Sequence, residues 1–133
     1  MSADPAPRHQ SRERALTLLY EAELKGRPPV EVLAELAVPP DPYTVAVVEA
    51  VASRADEIDT LVGGAAIGWD LDRMAVVDRN VLRLAVAELL DCPDVPTAVI
   101  LNEAVELASA YSTDDSGRFV NGVLATLATR LRP

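Results

Sequence analysis

Pairs of carboxylates come nearest to a catalytic arrangement in this chain. Asp114 lies next to Asp115, and Glu103 and Glu106 are three residues apart. Two carboxylates held close together can divide the roles of general acid and general base. Acidic pairs are, however, far more common as helix caps and on solvated helix faces. On these residues alone we predict that the chain is not an enzyme.

The other side chains that could support catalysis or bind a metal are isolated in the sequence. His9 is the only histidine and Cys92 the only cysteine, so neither a zinc site nor a cysteine–histidine nucleophile can be assembled from them. Glycine-rich phosphate-binding patterns and the H-E-x-x-H metal pattern do not occur in the sequence. The sequence therefore predicts no catalytic residue, no metal and no cofactor.

The last apolar stretch of the sequence begins like a helix but contains residues that weaken one. Asp115 and Ser116 precede it, as in a first helical turn, where side-chain oxygens accept hydrogen bonds from free N–H groups. On a helical wheel, Arg118, Asn121 and Gly122 lie opposite the apolar face. Two explanations fit this surface equally well. In one, Gly122 lets a neighbouring helix pack closely and Asn121 bonds a nearby backbone group; in the other, the polar side chains contact a ligand, and the two are compatible.

The N-terminal region carries a group of arginines followed by a tyrosine. Arg8 and Arg12 are four residues apart and share a helix face, and Arg14 adds a third positive charge. Guanidinium groups can donate two hydrogen bonds to one phosphate, and the ring of Tyr20 can stack on an unpaired base. An RNA-binding surface is one interpretation. A packed Tyr20 with its hydroxyl at the protein surface is the other.

A helix predicted at 75–91 carries charged side chains beside its apolar face. Asp78 lies on that face near the helix start, where we expect it to cap backbone N–H groups or to pair with an arginine. Arg79 and Arg83 are four residues apart, so they repel each other unless acids lie opposite them. Glu88 lies at the edge of the apolar face, a position that suits a partner surface, although solvated edge residues are more common.

These candidate residues are predicted to lie on helices that pack into one bundle. Apolar residues recur at helical spacing, and proline or glycine ends most of the apolar stretches. The connections are short, and the sequence shows no convincing strand pattern. We predict an all-α bundle of six or seven helices in a single domain over residues 8–133, after a disordered arm over residues 1–7. The helices are expected at 8–25, 30–37, 41–64, 75–91, 97–111 and 116–131.

The charge of the chain is unevenly distributed. The formal net charge is −9, yet residues 28–111 hold 4 basic and 15 acidic side chains, while both ends carry a slight positive excess. This distribution allows a polyanion to bind where the ends meet, and it equally allows the acidic middle to meet a basic partner. A single cysteine, and no apolar segment long enough to span a bilayer, are typical of a cytoplasmic protein without a membrane partner.

Taken together, the motifs and their order resemble the NusB family of bacterial transcription antitermination factors. The resemblance covers nearly the whole chain from Arg8 onward. Its most specific parts are the D-R-x-V-L-R block at 78–83 and the F-V-N-G-V-L block at 119–124. Less specific parts are R-H-Q-S-R-E-R at 8–14 and N-E-A-V-E-L-A at 102–108. The resemblance implies an all-helical fold of two small bundles set against each other, without enzymatic activity.

For function, the resemblance implies binding of RNA and of protein. Members of the family bind the boxA element of ribosomal RNA leader transcripts together with NusE, a small ribosomal protein. The complex acts on the RNA polymerase elongation complex, promotes read-through of terminators and supports ribosomal RNA maturation. Partner contacts are expected near Arg83 and Glu88. RNA contacts are expected at Arg8, Arg12, Tyr20, Asp115, Arg118 and Phe119, and the residue pattern adds Arg14 and Asn121.

The chain departs from the family pattern in its basic arm. His9 and Gln10 stand where arginines are common in the family, so fewer side chains can contact phosphates. We therefore expect weak RNA binding by the isolated protein and recovery with NusE. The alternative is a helical protein-binding module that has lost specific RNA binding. Because family members occur as monomers and as dimers, the resemblance also allows a homodimer.

Overall fold

The computed structural model describes residues 5–133, with side chains from Arg8 onward. Within that range the chain forms seven α-helices and one short 3-10 helix, which confirms the predicted all-α fold. None of these helices is long and apolar enough to cross a membrane. The α-helices are α1 Pro5–Lys25, α2 Pro29–Ala34, α3 Pro42–Ser53, α4 Ala55–Ala65, α5 Val76–Asp91, α6 Thr97–Tyr111 and α7 Asp114–Leu131, and the 3-10 helix is Leu71–Arg73.

Prolines and a glycine set several of the helix boundaries. Pro29 and Pro42 lie in the first turns of α2 and α3, where a missing N–H leaves no hydrogen bond unmade. Asp41 caps α3, because its carboxylate accepts a hydrogen bond from the Thr44 N–H at 3.1 Å. After α1 comes Gly26, whose φ of 64° lies in the left-handed region that favours glycine. The sequence predicts the end of α1 and the start of α3 correctly, whereas the helix predicted at 30–37 is observed as α2 over Pro29–Ala34.

Two further differences from the prediction lie in the first half of the chain. α1 begins at Pro5, before its predicted start, and residues 1–4 of the predicted arm lie outside the described residues. The helix predicted at 41–64 is interrupted at Arg54, where φ is −114° and ψ is 22°, so it forms both α3 and α4. An ion pair of 2.9 Å between Arg54 and Asp91 ties this interruption to the end of α5.

The start of α7 also differs from the prediction. The helix begins at Asp114 rather than at Ser116. Thr113 is the cap, because its hydroxyl oxygen accepts a hydrogen bond from the Ser116 N–H at 3.0 Å. Asp114 and Asp115 lie in the first turn, where negative charge is favourable at the positive end of the helix dipole. The prediction that Asp115 and Ser116 hold the helix start is therefore wrong in its choice of cap.

α5 is the central helix of the fold. The helices α1, α2 and α3 pack together, and so do α5, α6 and α7, with α4 packed on α5 and α7. α5 also contacts α1 and α3, so it joins the two groups, in agreement with the expectation of two small bundles. Unlike an amphipathic surface helix, it is buried on nearly every side. Its buried apolar residues are Val81, Leu82, Leu84, Ala85, Val86, Ala87 and Leu89.

The C-terminal ends of α5 and α7 are joined by Arg132. The last carbonyl groups of a helix have no partner within the helix, and a cation placed there satisfies them and the helix dipole together. The guanidinium group of Arg132 donates hydrogen bonds of 2.6 to 3.2 Å to the backbone carbonyls of Glu88, Leu89, Cys92 and Val95. This contact fixes the end of α7 against the central helix.

The two glycines of α7 differ in their surroundings. A Cβ atom added at Gly117 would lie 2.4 Å from Ser109 Oγ and 3.4 Å from Val105 Cγ1, so the close approach of α6 and α7 takes place there. A Cβ atom added at Gly122 would meet no described atom within 4 Å. The explanation that Gly122 lets a neighbouring helix pack closely is therefore wrong.

Replacement of Gly122 by alanine should raise the free energy of unfolding by about 0.5 to 1 kcal/mol, because alanine has less backbone freedom to lose and displaces no neighbour. Urea denaturation measures the change. The matched variant is Gly117→Val, which should destabilise the protein, since its side chain meets Ser109 and Val105. A loss of stability in Gly122→Ala would show that this position has a neighbour after all.

Candidate functional site

Arg12 is buried and forms an ion pair with Glu88. The side chains of both residues are 2% exposed. Arg12 Nε lies 2.9 Å from both oxygens of the Glu88 carboxylate, and Arg12 Nη2 lies 2.8 Å from Oε2. The Tyr43 hydroxyl donates a hydrogen bond of 2.5 Å to the same carboxylate. The pair therefore joins α1, α3 and α5 inside the protein.

The burial of this pair contradicts two predicted contacts. A phosphate could reach Arg12 only if the ion pair opened and left the Glu88 carboxylate buried without a positive charge beside it, which is costly. Arg12 is therefore not an RNA contact in this structure. Glu88, predicted as a partner contact, is 1% exposed and equally unavailable. The helical wheel places Glu88 at an edge because it describes one helix, whereas α1 and α3 close over that edge.

Aromatic and cationic groups surround the pair. The guanidinium carbon of Arg8 lies 4.8 Å from the centre of the Tyr43 ring, and that of Arg12 lies 5.7 Å from it. Burial and the nearby Glu88 carboxylate raise the pKa of Tyr43 far above its usual range, so its hydroxyl stays protonated and donates. Arg8 is half-buried on this ring, which leaves part of its guanidinium group open to an anion.

His9 joins α1 to α6 at the edge of the same network. Its Nδ1 lies 2.6 Å from Glu103 Oε1, and its Nε2 lies 4.0 Å from Glu13 Oε2. The hydrogen bond to Glu103 raises the pKa of His9. His9, Glu103 and Glu106 offer ligand atoms within 4.8 Å of one another, a donor set that a divalent cation can use. The hydrogen bond already accounts for the approach of His9 and Glu103, so we assign no metal here.

Several predicted contact residues lie along one exposed surface. Tyr20 is 38% exposed and lines a shallow cavity with Tyr111. Thr113, two residues further on, lines the next cavity with Asp115 and Phe119. Both cavities are lined by residues at the start of α5 and near the end of α6, so the surface continues from α1 across the end of α6 to the start of α7. We call it the α1–α7 surface.

The polar residues of this surface lie on the outside of α7. Arg118 and Asn121 are exposed and line a groove between α6 and α7. Arg118 pairs with Asp115 one turn earlier, but their side chains are 74% and 85% exposed. Solvent weakens such a pair, so Arg118 can exchange Asp115 for another anion at little cost. Arg14 is also exposed, on α1.

Arg83 belongs to a separate ion-pair network. Its Nε lies 2.9 Å from Asp59 Oδ1, and its Nη1 lies 2.9 Å from Glu23 Oε1. Arg79 pairs with the same Glu23. Acids therefore lie opposite Arg79 and Arg83, and they offset the repulsion between the two like charges. Arg83 is half-buried and lines a cavity of about 600 Å³ between the two groups of helices, and its role as a partner contact stays a prediction.

Sequence reasoning missed two residues of the cavity beside Phe119. Trp69 is 51% exposed, and its ring packs edge-to-face on Phe119 with 5.9 Å between ring centres. Asp78 was expected to cap backbone groups or pair with an arginine, yet it accepts a hydrogen bond of 3.0 Å from Ser116 Oγ. The signal for Trp69 was its position, since the only tryptophan of the chain lies in a polar turn.

Known proteins resemble the chain over almost its whole length. A family model described as the NusB family matches residues 9–129. The transcription antitermination protein NusB of Salinispora tropica is 52% identical over 128 residues, which cover 91% of this chain and 94% of that protein.

Solved structures agree with the sequence comparison. The T. maritima NusB structure matches with a TM-score of 0.86 and 34% identity, and the match covers 95% of this chain and 93% of that one. A structure of antitermination factors NusB and NusE in complex with dsRNA matches with a TM-score of 0.81 and 29% identity, over 94% of this chain and 98% of that one. The resemblance found in the sequence is confirmed.

The Arg12–Glu88 pair predicts a large difference between two neighbouring arginines. Arg12→Ala should lower the free energy of unfolding by about 3 to 5 kcal/mol, because it leaves the charge of Glu88 buried with no positive charge to balance it. Arg14→Ala, at an exposed position of the same helix, should change it by about 0.5 kcal/mol or less. Urea denaturation compares the two variants. The double variant Arg12→Met, Glu88→Leu should lose less stability than Arg12→Ala, and a larger loss would contradict the explanation.

The His9–Glu103 hydrogen bond predicts a pH-dependent contribution to stability. Because the pKa of His9 is raised in the folded protein, this contribution is present below pH 6.5, the ordinary pKa of histidine, and is lost as the pH rises through the folded value. His9→Gln should therefore lower the melting temperature more at pH 5.5 than at pH 8.5. Equal losses at the two values would show that His9 acts only by packing.

Proposed function

The chain belongs to the NusB family, and from this membership we propose that it is a transcription antitermination factor that binds RNA together with a partner protein. The RNA is of the boxA type found in ribosomal RNA leader transcripts, and the partner is the ribosomal protein NusE. Together they promote read-through by RNA polymerase, which the protein reaches indirectly, and ribosomal RNA maturation. The protein acts in the cytoplasm by binding and without catalysis.

The observation that carries this proposal is the α1–α7 surface. Tyr20 and Phe119 offer rings on which unpaired bases can stack. Arg118 precedes Phe119 in α7, is exposed and offers a guanidinium group for a phosphate, and Asn121 can donate to a base or a phosphate. Stacking rings with a few cations at the rim are typical of proteins that bind single-stranded RNA.

Arg12 supports the α1–α7 surface by holding α1 in place, without contacting RNA itself. Its ion pair with Glu88 fixes α1 on α5, and this places Arg8 and Arg14 relative to the start of α7. With Arg12 buried, the arginines that remain open to RNA on α1 and at the start of α7 are Arg8, Arg14 and Arg118. Because each phosphate contact adds to affinity, so few cations on a chain of net charge −9 support weak binding by the protein alone.

A partner surface is best supported near Arg83. The residue lines the cavity of about 600 Å³ with Glu23 and Asp59, whose carboxylates are partly exposed. The cavity is also lined by apolar residues, among them Val30, which is 42% exposed. Arg27 adds a second cation to this lining, so the apolar depression carries charges of both signs that can pair with charges on a partner protein. Glu88 has no part in this surface, since it is buried.

The second candidate function is a helical protein-binding module without specific RNA binding. The observation that favours it is the burial of Arg12, which removes one of the predicted phosphate contacts from the surface. The two candidates differ in one measurable respect, namely whether the exposed arginines of the α1–α7 surface contribute to RNA affinity.

Replacement of both Arg14 and Arg118 by alanine should weaken boxA RNA binding in the presence of NusE. The slope of log affinity against log salt concentration should also become shallower, by an amount that corresponds to about 1 to 2 phosphate contacts. Fluorescence anisotropy of a labelled boxA RNA, titrated with protein at several salt concentrations, measures both effects. The matched control is Arg130→Ala, an exposed arginine near the far end of α7. The wild-type protein should bind weakly alone and more tightly with NusE.

Two results would count against these expectations. RNA affinity that is unchanged in the double variant would support the protein-binding module. Wild-type affinity that is the same with and without NusE would contradict the expectation that the partner restores binding.

A further inference from the structure

The connection between α4 and α5, residues 66–75, is anchored by the side chain of one arginine. Arg79 Nη1 donates hydrogen bonds of 3.1 Å to the Leu71 carbonyl and of 2.9 Å to the Met74 carbonyl. Within residues 8–133, no other side chain donates a hydrogen bond to the backbone of this connection. Since these two carbonyls belong to the start of the short 3-10 helix and to the residue after it, Arg79 fixes that helix against α5.

The remaining nitrogens of Arg79 are held by Glu23 of α1. Nε and Nη2 both donate to Glu23 Oε2. The other oxygen of this carboxylate, Oε1, accepts hydrogen bonds of 2.9 Å from Asn80 and from Arg83. The side chains of Arg79 and Glu23 are 17% and 23% exposed, so solvent screens their pair less than it screens a surface pair. Arg79 thus joins the α4–α5 connection to α1 as well as to α5.

Beyond this anchor the connection is exposed and carries Trp69. Residues 67–70 are all exposed, and Gly68 has a φ of 83°, in the left-handed region that favours glycine. The Trp69 ring packs edge-to-face on Phe119. An exposed segment with few buried contacts opens easily, so the position of Trp69 depends on where the backbone beside it is fixed. Arg79 fixes that backbone two residues later, at Leu71.

We propose that Arg79 is a positioning residue that holds Trp69 against Phe119 and thereby keeps the Phe119 ring oriented for an RNA base. The inference rests on the proposed RNA binding and gives Arg79 no contact with RNA. The contacts run from the guanidinium group to the backbone of the connection, then to the Trp69 ring and then to Phe119. Edge-to-face packing restricts the angle of both rings, so loss of the Trp69 contact leaves Phe119 freer and lowers RNA affinity.

Arg83 provides a matched comparison on the same helix. It lies four residues after Arg79 and pairs with the same Glu23 carboxylate, so its removal takes one positive charge from the same network. Its hydrogen bonds within residues 8–133 go to Glu23, Asp59 and Asn80, and none goes to the α4–α5 connection. A comparison of the two arginines in the free protein therefore separates the contact with the connection from the loss of charge.

The first test measures the fluorescence of Trp69, the only tryptophan of the chain. Arg79→Gln should shift the emission to longer wavelength and increase its quenching by acrylamide, because the ring leaves Phe119 and meets more water. Arg83→Gln should leave both unchanged. Arg79→Lys keeps the charge, but one ammonium nitrogen cannot replace three nitrogens that bond in two directions. The lysine variant should therefore behave like Arg79→Gln, and it carries the test if the glutamine variant does not fold.

The second test measures RNA affinity in the presence of NusE. A labelled boxA RNA is titrated with wild-type protein and with Arg79→Gln at several salt concentrations, and anisotropy is the signal. Arg79→Gln should weaken binding by about 2- to 10-fold, as expected for the loss of an aromatic contact. The slope of log affinity against log salt concentration should stay unchanged, because Arg79 contacts no phosphate.

The same substitution in a Trp69→Ala background shows whether Arg79 acts through Trp69. Once the tryptophan ring is removed, Arg79→Gln should change RNA affinity by less than about 2-fold, since the effects of residues that act through one contact are not additive. A loss as large as in the wild-type background would indicate a general effect on the fold and would overturn the positioning role.

The other outcomes separate this inference from the proposed function. Arg79 has no positioning role if Arg79→Gln and Arg83→Gln give the same Trp69 emission and quenching. A shallower salt slope in Arg79→Gln also overturns the inference, since it indicates that Arg79 contacts a phosphate. In both cases the wild-type protein still binds RNA with NusE, so the proposed function stands. If the wild-type protein binds no boxA RNA in the presence of NusE, the proposed function and this inference are both overturned.

Discussion

The buried ion pair between Arg12 and Glu88 is the contact on which the arrangement of the other elements depends. A charge in the interior must be paired, and here the guanidinium and carboxylate groups satisfy each other with help from Tyr43. The three residues come from α1, α5 and α3, so the pair fixes the first helix on the central one. Glu103 of α6 lies 3.5 Å from the same arginine and extends the link to the second group of helices.

A second constraint lies where α6 meets α7. Gly117 lets the two helices approach closely, and Thr113 caps α7 directly after the turn. Together they determine where the first turn of α7 lies. That position sets Phe119 against Trp69 and brings Ser116 to Asp78 at the start of α5. The contact with α6 and the Thr113 cap therefore fix the first turn of α7, on which part of the proposed RNA surface lies.

The packing of the helices determines which charged side chains remain available to a ligand. The arginines of the N-terminal region divide into a buried one that holds the fold and exposed ones that remain for a ligand. Arg79 and Arg83, which would repel each other on an isolated helix, are neutralised by Glu23 and Asp59. An acidic protein with few free cations is suited to hold RNA jointly with a basic partner, because the partner supplies much of the positive charge.

The sequence by itself determined the secondary structure and the family. Proline, glycine and capping residues are local signals, so the bounds of α6 and the ends of α1 and α5 could be read from neighbouring residues. The F-V-N-G-V-L block at 119–124 lies within α7 and was among the most specific parts of the family resemblance. Only the tertiary structure decided which side chains are exposed. A helical wheel gives the direction of Arg12 or Glu88 around its own helix, but burial depends on which other helix covers that direction. The partners of Asp78 likewise come from residues far away in the chain, whose approach no local pattern encodes.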